Sequence, residues 1–201
     1  KRASEVIRRL RTMLRRGGTQ MQQLDLSQVV HEVLALIHSD LVARKVNVSM
    51  RISADLPAVG GDRVQLQQVF LNLLMNASEA MSGNTGQDRL IEIVAASEGA
   101  MAHVKVIDRG VGIAEDELES VFDAFYTTKA DGLGLGLAIS RSIISVHGGW
   151  LWASRNEGRG ACFHFTLPAL APSEPRAEQS ARRQLDLRPM RALENSGETD
   201  R

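Results

Sequence analysis

The sequence predicts an α/β fold, a two-layer α/β sandwich, on three observations. Segments with helical periodicity and segments with strand-like alternation are interleaved along the chain. Several strand-like segments follow one another across short turns, which favours antiparallel pairs over a doubly wound parallel sheet. The 201 residues are 43% hydrophobic but only 4% aromatic, so we expect one core built mainly from aliphatic side chains.

The first half of the chain contains three helical patterns and one strand. Residues 1–16 are expected to form an amphipathic basic helix that Gly17 and Gly18 end, and its apolar stripe needs a partner helix. A second helix covers 26–42, with Ser27 as a possible cap, and a strand covers 46–52. After a break at Pro57 and 60–61, Asp62 is the expected N-cap of a long helix that runs to about residue 81.

The second half is richer in strands. Strands are expected at 90–95 and 103–107, then a short acidic helix at 115–121, an irregular stretch at 122–133 and a helix at 134–147. Strands at 150–155 and 162–167 flank a glycine-containing turn. After Pro168 large apolar residues become rare, which predicts a disordered tail over 171–201.

The formal net charge of zero conceals three blocks: +6 over 1–16, −6 over 17–170, and zero over 171–201. A neutral total argues against a bulk nucleic-acid or membrane binder. One cysteine, Cys162, allows no intramolecular disulfide, which fits a cytoplasmic location. We find no signal peptide and no apolar run of about 20 residues, so we expect no direct membrane contact of this fragment, whereas the full-length protein could be soluble or membrane-anchored. Because the chain begins with Lys1, we expect a fragment of a longer protein.

The helix after Asp62 carries a polar stripe beside its apolar one. Gln65, Gln68, Asn72, Asn76 and Glu79 recur at steps of three and four residues and therefore share a face. Asparagine is a poor helix former, so two of them in a leucine-rich helix need a reason. Amide oxygens are hard ligands that can share Mg²⁺ with phosphate oxygens; two tolerated surface asparagines remain the alternative.

Two glycine-containing motifs follow. In VIDRGVGI, Asp108 ends an apolar strand and could accept a hydrogen bond from an exocyclic amine such as that of adenine, although an ordinary turn has the same pattern. In FYTTKADGLGLGL, spaced glycines lead into a helix, where free backbone N–H groups can bind phosphate, or where the glycines can serve as a hinge. This second motif is neither a Walker A sequence nor a Rossmann fingerprint.

The order of these motifs resembles the ATP-binding catalytic domain of two-component sensor histidine kinases. NLLMNASEA resembles the N box of that family, DRGVGI and GLGLGLAIS its glycine boxes, and FDAFYTTK its F box. The resemblance covers about 24–168 and, more narrowly, is closest to cytoplasmic oxygen- and nitrogen-sensing kinases. It implies the Bergerat fold, which DNA gyrase, mismatch-repair ATPases and a heat-shock chaperone share.

The resemblance also implies roles for individual residues. Asn76 would bind Mg²⁺ with Asn72 beside it, and Asp108 would bind the adenine amine of ATP in a pocket shaped by its neighbours. Phe122 and Phe125 would anchor a lid, and Lys129 would close over the phosphates. Two residues depart from the family pattern: Arg109 replaces a common Asn, and Leu133 replaces a Thr or Ser that could donate to phosphate. The remaining implied nucleotide-binding residues are Gly110, Gly112, Ile113, Thr128, Gly132, Leu133, Gly134, Leu135, Gly136 and Leu137.

None of the five histidines matches the phosphoacceptor that such a kinase needs. His31 precedes Glu32 but belongs to the helix that begins the catalytic domain, His147 ends a helix where a cation would complement the dipole, and the other three lack the required context. Residues 1–18 are expected to end the second helix of a dimerising hairpin, and 19–170 to form the catalytic domain. The acceptor would then lie before Lys1.

Three functions remain open from the sequence. The first is the catalytic part of a sensor kinase that forms a homodimer through the hairpin and passes phosphate to a response regulator, without nucleic acid. The second is a gyrase-like ATP-hydrolysing clamp, which the amide of Asn72 disfavours because such enzymes have a glutamate there to activate water. The third is a non-catalytic dimerisation or regulatory module that binds nucleotide only to change shape.

Overall fold

The computed structural model describes residues 20–84, 88–129, 132–156 and 158–170. By its contacts the chain divides into two units, 1–170 and 171–201, and the described residues all belong to the first. The basic helix expected at 1–16 and the disordered tail expected at 171–201 lie outside the described residues.

The described elements alternate between strands and helices, as the sequence predicts. Strands are β1 (Gln22–Leu24), β2 (Asn47–Ile52), β3 (Val59–Gly61), β4 (Leu90–Glu98), β5 (Met101–Ile107), β6 (Trp150–Arg155) and β7 (Ala161–Pro168). Helices are α1 (Leu26–Ala43), α2 (Arg63–Ala80) and α3 (Gly136–Val146), with two 3₁₀ turns at Glu115–Glu117 and Ser120–Phe122.

Five strands form the main sheet in the order β2-β4-β5-β7-β6. The pairs from β4 through β6 are antiparallel, whereas β2 and β4 are parallel. Burial alternates along β4, β5 and β7, so one sheet face is buried against the helices and the other is only partly covered. This is the expected two-layer α/β sandwich of the Bergerat kind.

Helix α2 lies centrally in the helical layer, in contact with both α1 and α3. Its apolar stripe is fully buried, and Phe70 packs edge-on against Phe165 of the sheet with ring centroids 5.4 Å apart. Asp62 caps the helix as expected, since its carboxylate accepts from the backbone N–H groups of Val64 and Gln65 at 3.0 and 3.1 Å. The apolar side chains of this stripe are Leu66, Val69, Phe70, Leu73, Leu74 and Ala77.

Helix α1 packs its apolar side into the same core. Among the described residues it is the one helix that is long and apolar enough to cross a membrane, with a mean hydropathy of 1.2 over 18 residues. Val29, Val33 and Ile37 on that side are at most 4% exposed, so here it serves as a core helix. The cap differs from the expectation: the carboxylate of Asp25, not Ser27, accepts a backbone N–H, because Asp25 immediately precedes the helix.

Three further local expectations were wrong. The segment around Pro57 is not only a break, because Val59–Gly61 pairs with the distant Gln22–Leu24 in a small antiparallel sheet. The acidic helix expected at 115–121 is two 3₁₀ turns, since neither turn has a side-chain cap and a short helix gains too few hydrogen bonds to offset nucleation. Helix α3 begins at Gly136, two residues late, because Gly134 has a φ of +64°.

Candidate functional site

The candidate site follows the polar face of α2, which contacts two loops and then the start of α3. At the C-terminal end, Ala80 accepts a hydrogen bond from the backbone N–H of Val111 at 3.2 Å. One turn earlier, Asn76 and Glu79 meet Lys129, and at Asn72 the helix meets the start of α3. From Asn72 to Ala80 this strip runs about 12 Å along the helix axis, at about 1.5 Å per residue.

Asp108 defines one end of the strip. Its side chain is 2% exposed, and its Oδ1 atom accepts from the backbone N–H groups of Gly110 at 2.7 Å and Ala161 at 3.3 Å. Burial raises the pKa of this carboxyl, and the two backbone hydrogen bonds oppose that rise. Among the described residues Oδ2 accepts no hydrogen bond, so it is the atom that could accept from a ligand amine.

The glycines after Asp108 hold this turn against α2. A Cβ atom on Gly110 would lie 2.6 Å from the carbonyl oxygen of Ala80, so only glycine allows the turn to approach the helix so closely. Gly112 has a φ of +80°, and Ile113 packs against the core. The exposed side chain of Arg109 lies 3.5 Å from Glu92.

Asn84 supports the same turn and was missed in the sequence. It is 4% exposed, and its side-chain N–H₂ donates to the carbonyl oxygens of Arg109 at 2.7 Å and Asp88 at 3.2 Å. Arg89 holds the loop in turn, donating to three carbonyl oxygens, among them that of Asn84 at 2.8 Å. Asparagine is a common turn residue after a helix, so its presence at position 84 gave no signal of this contact.

The middle of the strip combines two oxygen groups and one cation. The ammonium of Lys129 donates to Oδ1 of Asn76 at 3.2 Å and also to the carboxylate of Glu79. An amide oxygen and a carboxylate are hard donors, and a cation already lies between them in the form of the ammonium. The pair Asn76 and Glu79 therefore fits a divalent cation such as Mg²⁺. Glu79 was in the polar stripe but was not named as a site residue.

Asn72 has contacts other than those expected beside a triphosphate. Its Oδ1 accepts from Gln68 at 3.0 Å, and its N–H₂ group donates to the carbonyl oxygen of Gly136 at 3.1 Å and to Oγ of Ser140 at 3.2 Å. Both ends of the amide are therefore used within the protein, where they tie α2 to the first turn of α3.

The first turn of α3 has no side-chain cap, because Leu135 stands at the N-cap position and offers no acceptor. Its first backbone N–H groups are therefore available, and the helix dipole favours an anion there. Gly134 enables the preceding turn, since its φ is +64° and a Cβ atom would lie 2.4 Å from the carbonyl carbon of Phe125. Leu135 is buried and Leu137 packs against the core, whereas Gly132 and Leu133 are half-buried.

The two phenylalanines of FDAFYTTK differ in environment. Phe122 is buried edge-on to Phe163, with the guanidinium of Arg141 4.7 Å above its ring. Phe125 is 74% exposed and has a φ of +72°, so its side chain lies outside the core. Thr128 is also exposed.

The five histidines have structural partners or exposed positions. His147 stands at the C-terminal end of α3, where its Nε2 accepts from the backbone N–H of Asp62 at 2.9 Å. Its Nδ1 hydrogen-bonds the carbonyl of Ile143, which braces the C-terminus of α3 against the start of α2. His31 and His38 are exposed on α1, and His103 and His164 lie in β5 and β7.

The chain is similar to known proteins over most of its length. Residues 61–171 match the family model described as "Histidine kinase-, DNA gyrase B-, and HSP90-like ATPase". The sensor protein FixL of Bradyrhizobium diazoefficiens is 44% identical over 84% of this chain and 33% of its own length. The chain spans between 17% and 36% of the first curated relatives that it matches.

Solved structures show the same fold. The nucleotide-free catalytic domain of histidine kinase ThkA is 32% identical and superposes with a TM-score of 0.66, over 75% of this chain and 96% of that domain. ThkA in complex with the response regulator protein TrrA superposes with a TM-score of 0.70 at 26% identity, over 84% of this chain and 48% of that one.

Proposed function

The chain belongs to the histidine kinase-, DNA gyrase B- and HSP90-like ATPases and is a catalytic ATP-binding domain of the sensor histidine kinase type. On that premise we propose that residues 19–170 bind ATP with Mg²⁺ and transfer its γ-phosphate to a histidine on a dimerising hairpin outside this sequence. The continuous strip along α2 carries this proposal. It offers a buried acceptor at one end, cation ligands in the middle and free helix N–H groups at the other.

Each part of the strip has a chemical role in the proposal. Oδ2 of Asp108 accepts the adenine amine, and Gly110 and Gly112 let the base lie close to the backbone. The N–H groups of α3 and the ammonium of Lys129 bind phosphate oxygens, with Thr128 and 132–137 around them. Asn76 holds Mg²⁺, which neutralises phosphate charge when bound. Asn72 lies beside Asn76 near the triphosphate and ties α2 to the first turn of α3, whose N–H groups bind the phosphates.

Phosphoryl transfer of this kind depends mostly on positioning and charge neutralisation, so the domain needs no nucleophile of its own. The relatives named as sensor proteins and the ThkA–TrrA complex support a response regulator as the final acceptor. A homodimer through the hairpin and a cytoplasmic location complete the proposal. The hydrolytic alternative is disfavoured by Asn72, whose amide is engaged with Gly136 and Ser140 and cannot accept a proton from water.

The test mixes this chain with ATP, Mg²⁺ and a separately produced hairpin that carries an acceptor histidine. We expect acid-labile phosphate on the hairpin. Release of inorganic phosphate without the hairpin would instead support the clamp, and nucleotide binding with neither outcome would support a regulatory module.

Replacing Asn76 with alanine tests the site itself. We expect transfer to fall by about 100-fold or more, because a ligand for the charge-neutralising cation is lost. Asn47→Ala, which changes an exposed asparagine in β2, is the matched control and should retain full transfer. Wild-type activity in the Asn76 variant would remove this residue from the site.

A further inference from the structure

The contact of Lys129 with Asn76 and Glu79 joins residues 50 and 53 positions apart in the chain. Lys129 is the last residue of the F-box-like segment, whereas both oxygen groups lie on α2. The side chains of Lys129 and Glu79 are 41% and 38% exposed, so the ion pair is open to exchange with solution ions. An exposed ion pair stabilises a fold very little. This ion pair matters for another reason: its ammonium also contacts Asn76, the proposed metal ligand, and so occupies the position that a metal ion would need.

The ammonium and a metal ion cannot share this position. The amide oxygen of Asn76 lies 3.2 Å from Nζ of Lys129, whereas a magnesium ion lies about 2.0–2.1 Å from its oxygen ligands. Two cations bound to the same oxygen would repel each other strongly. A metal on Asn76 therefore requires Lys129 to leave, and Glu79 then stands beside the metal without its ammonium partner.

We propose that Glu79 and Asn76 form one exchangeable cation site, which Lys129 fills in the nucleotide-free chain and the divalent cation of the nucleotide fills in the loaded chain. The proposal rests on the proposed function. Glu79 would supply the negative charge that neutralises either cation. The exchange frees the Lys129 ammonium to bind the transferred phosphate only when the metal is present. Glu79 therefore couples metal binding to the position of the Lys129 side chain.

Glu79 has a second electrostatic effect. A free carboxylate beside a triphosphate repels it, so a nucleotide without metal should bind poorly unless Lys129 stays on Glu79. Replacing Glu79 by glutamine keeps a hydrogen-bonding oxygen of similar size but removes the charge. The variant should therefore bind the metal more weakly but bind metal-free nucleotide as tightly or more tightly, because the repulsion is gone. A general structural defect cannot produce these two effects of opposite sign.

The experiment measures Mn²⁺ binding by electron paramagnetic resonance in the presence of saturating ADP, with Mn²⁺ as the probe and no turnover. For Glu79→Gln we expect the Mn²⁺ dissociation constant to rise about tenfold, while metal-free ADP binds as tightly as in the wild type or more tightly. For Lys129→Met we expect Mn²⁺ to bind more tightly, because its competitor is gone. In the double variant the effect of Glu79→Gln on Mn²⁺ should persist.

Glu32→Gln is the matched control. Glu32 lies on α1, is similarly exposed at 43%, and pairs with Arg63 at the start of α2, away from the strip. This variant should leave both constants unchanged. An unchanged Mn²⁺ constant in Glu79→Gln, or weaker Mn²⁺ binding in Lys129→Met, would overturn the exchange. If ADP binds to none of the proteins, the proposed function has failed instead, so the two failures are distinguishable.

Discussion

At the scale of the residue, Asp108 shows how a site residue opposes stability. Its carboxylate is buried, its pKa is raised by that burial, and it sits in a turn that two backbone N–H groups hold in place. A carboxylic acid with a raised pKa in the folded state makes the fold less stable as pH rises through that pKa. Such a cost is expected where a charged acceptor has to meet a ligand amine.

The substitution Asp108→Asn separates the effect of this carboxyl on stability from its proposed effect on nucleotide binding. The amide keeps one oxygen for Gly110 and Ala161 but presents a donor where Oδ2 was, so the adenine amine loses its acceptor. We expect nucleotide affinity to fall about 10- to 100-fold, the range of one charge-assisted hydrogen bond of about 1.5–3 kcal/mol. The thermal midpoint of the free protein should stay the same or rise.

Isothermal titration calorimetry and a thermal melt check the two halves of this prediction. Asp123→Asn, an exposed aspartate of the F-box-like segment, is the control and should change neither quantity. A variant that binds ATP like the wild type would exclude Asp108 as the adenine acceptor.

At the scale of the element, α2 contributes one face to the core and its polar face to the candidate site. Its apolar stripe faces the sheet, and its polar stripe meets the turn after Asp108, Lys129 and the start of α3. Because all three contacts are made by this one helix, a shift of α2 along its axis would move all three of them together. Asp62 fixes where that helix begins, and its carboxylate also accepts from the backbone of Gln20 at 3.1 Å.

Asp62→Ala removes this cap. Two backbone N–H groups at the start of α2 lose their acceptor, so we expect the free energy of unfolding to fall by about 1–2 kcal/mol. Asp62→Asn retains an acceptor oxygen and should recover most of the loss. Denaturant melts of the three proteins measure the difference, and equal midpoints for alanine and aspartate would show that the cap contributes nothing.

At the scale of the whole molecule, the partly covered face of the sheet carries a chain of polar contacts across four strands. Nδ1 of His103 meets Glu98 at 2.6 Å, its Nε2 meets His164 at 3.3 Å, and Nε2 of His164 meets Ser154 at 2.8 Å. The ring of Trp152 stacks on that of His164 with centroids 4.9 Å apart. Burial, followed by the charges of His103 and Lys105, lowers the pKa of His164 to about 4.

This histidine makes stability depend on pH. Its pKa is lower in the folded state than the ordinary 6.5, so the unfolded chain binds the additional proton first. The stabilisation is complete above pH 6.5 and is lost as pH falls through about 4. His164→Phe keeps an aromatic ring on Trp152 and removes the titrating group, so thermal midpoints of the variant should decline less over this window. Parallel curves for the two proteins would contradict the assignment.

The sequence alone determined the features that depend on neighbours within a few residues. Helix periodicity assigned the two stripes of α2, Asp62 marked its start, and the alternation of apolar residues located the strands of the main sheet. The spaced glycines and Asp108 indicated a nucleotide site because their conformations and chemistry are local properties. Errors fell on short segments such as 115–121, where few local hydrogen bonds decide between similar turns.

Only the tertiary structure decided which distant groups meet. Lys129 lies on Asn76 and Glu79, Asn72 ties α2 to α3, Asn84 supports the carbonyl of Arg109, and Val59–Gly61 finds Gln22–Leu24 as its partner strand. The side-chain pattern of one segment carries no information about the segment it will touch. That choice follows from how the sheet and helices bury their apolar faces together, which depends on the whole chain at once.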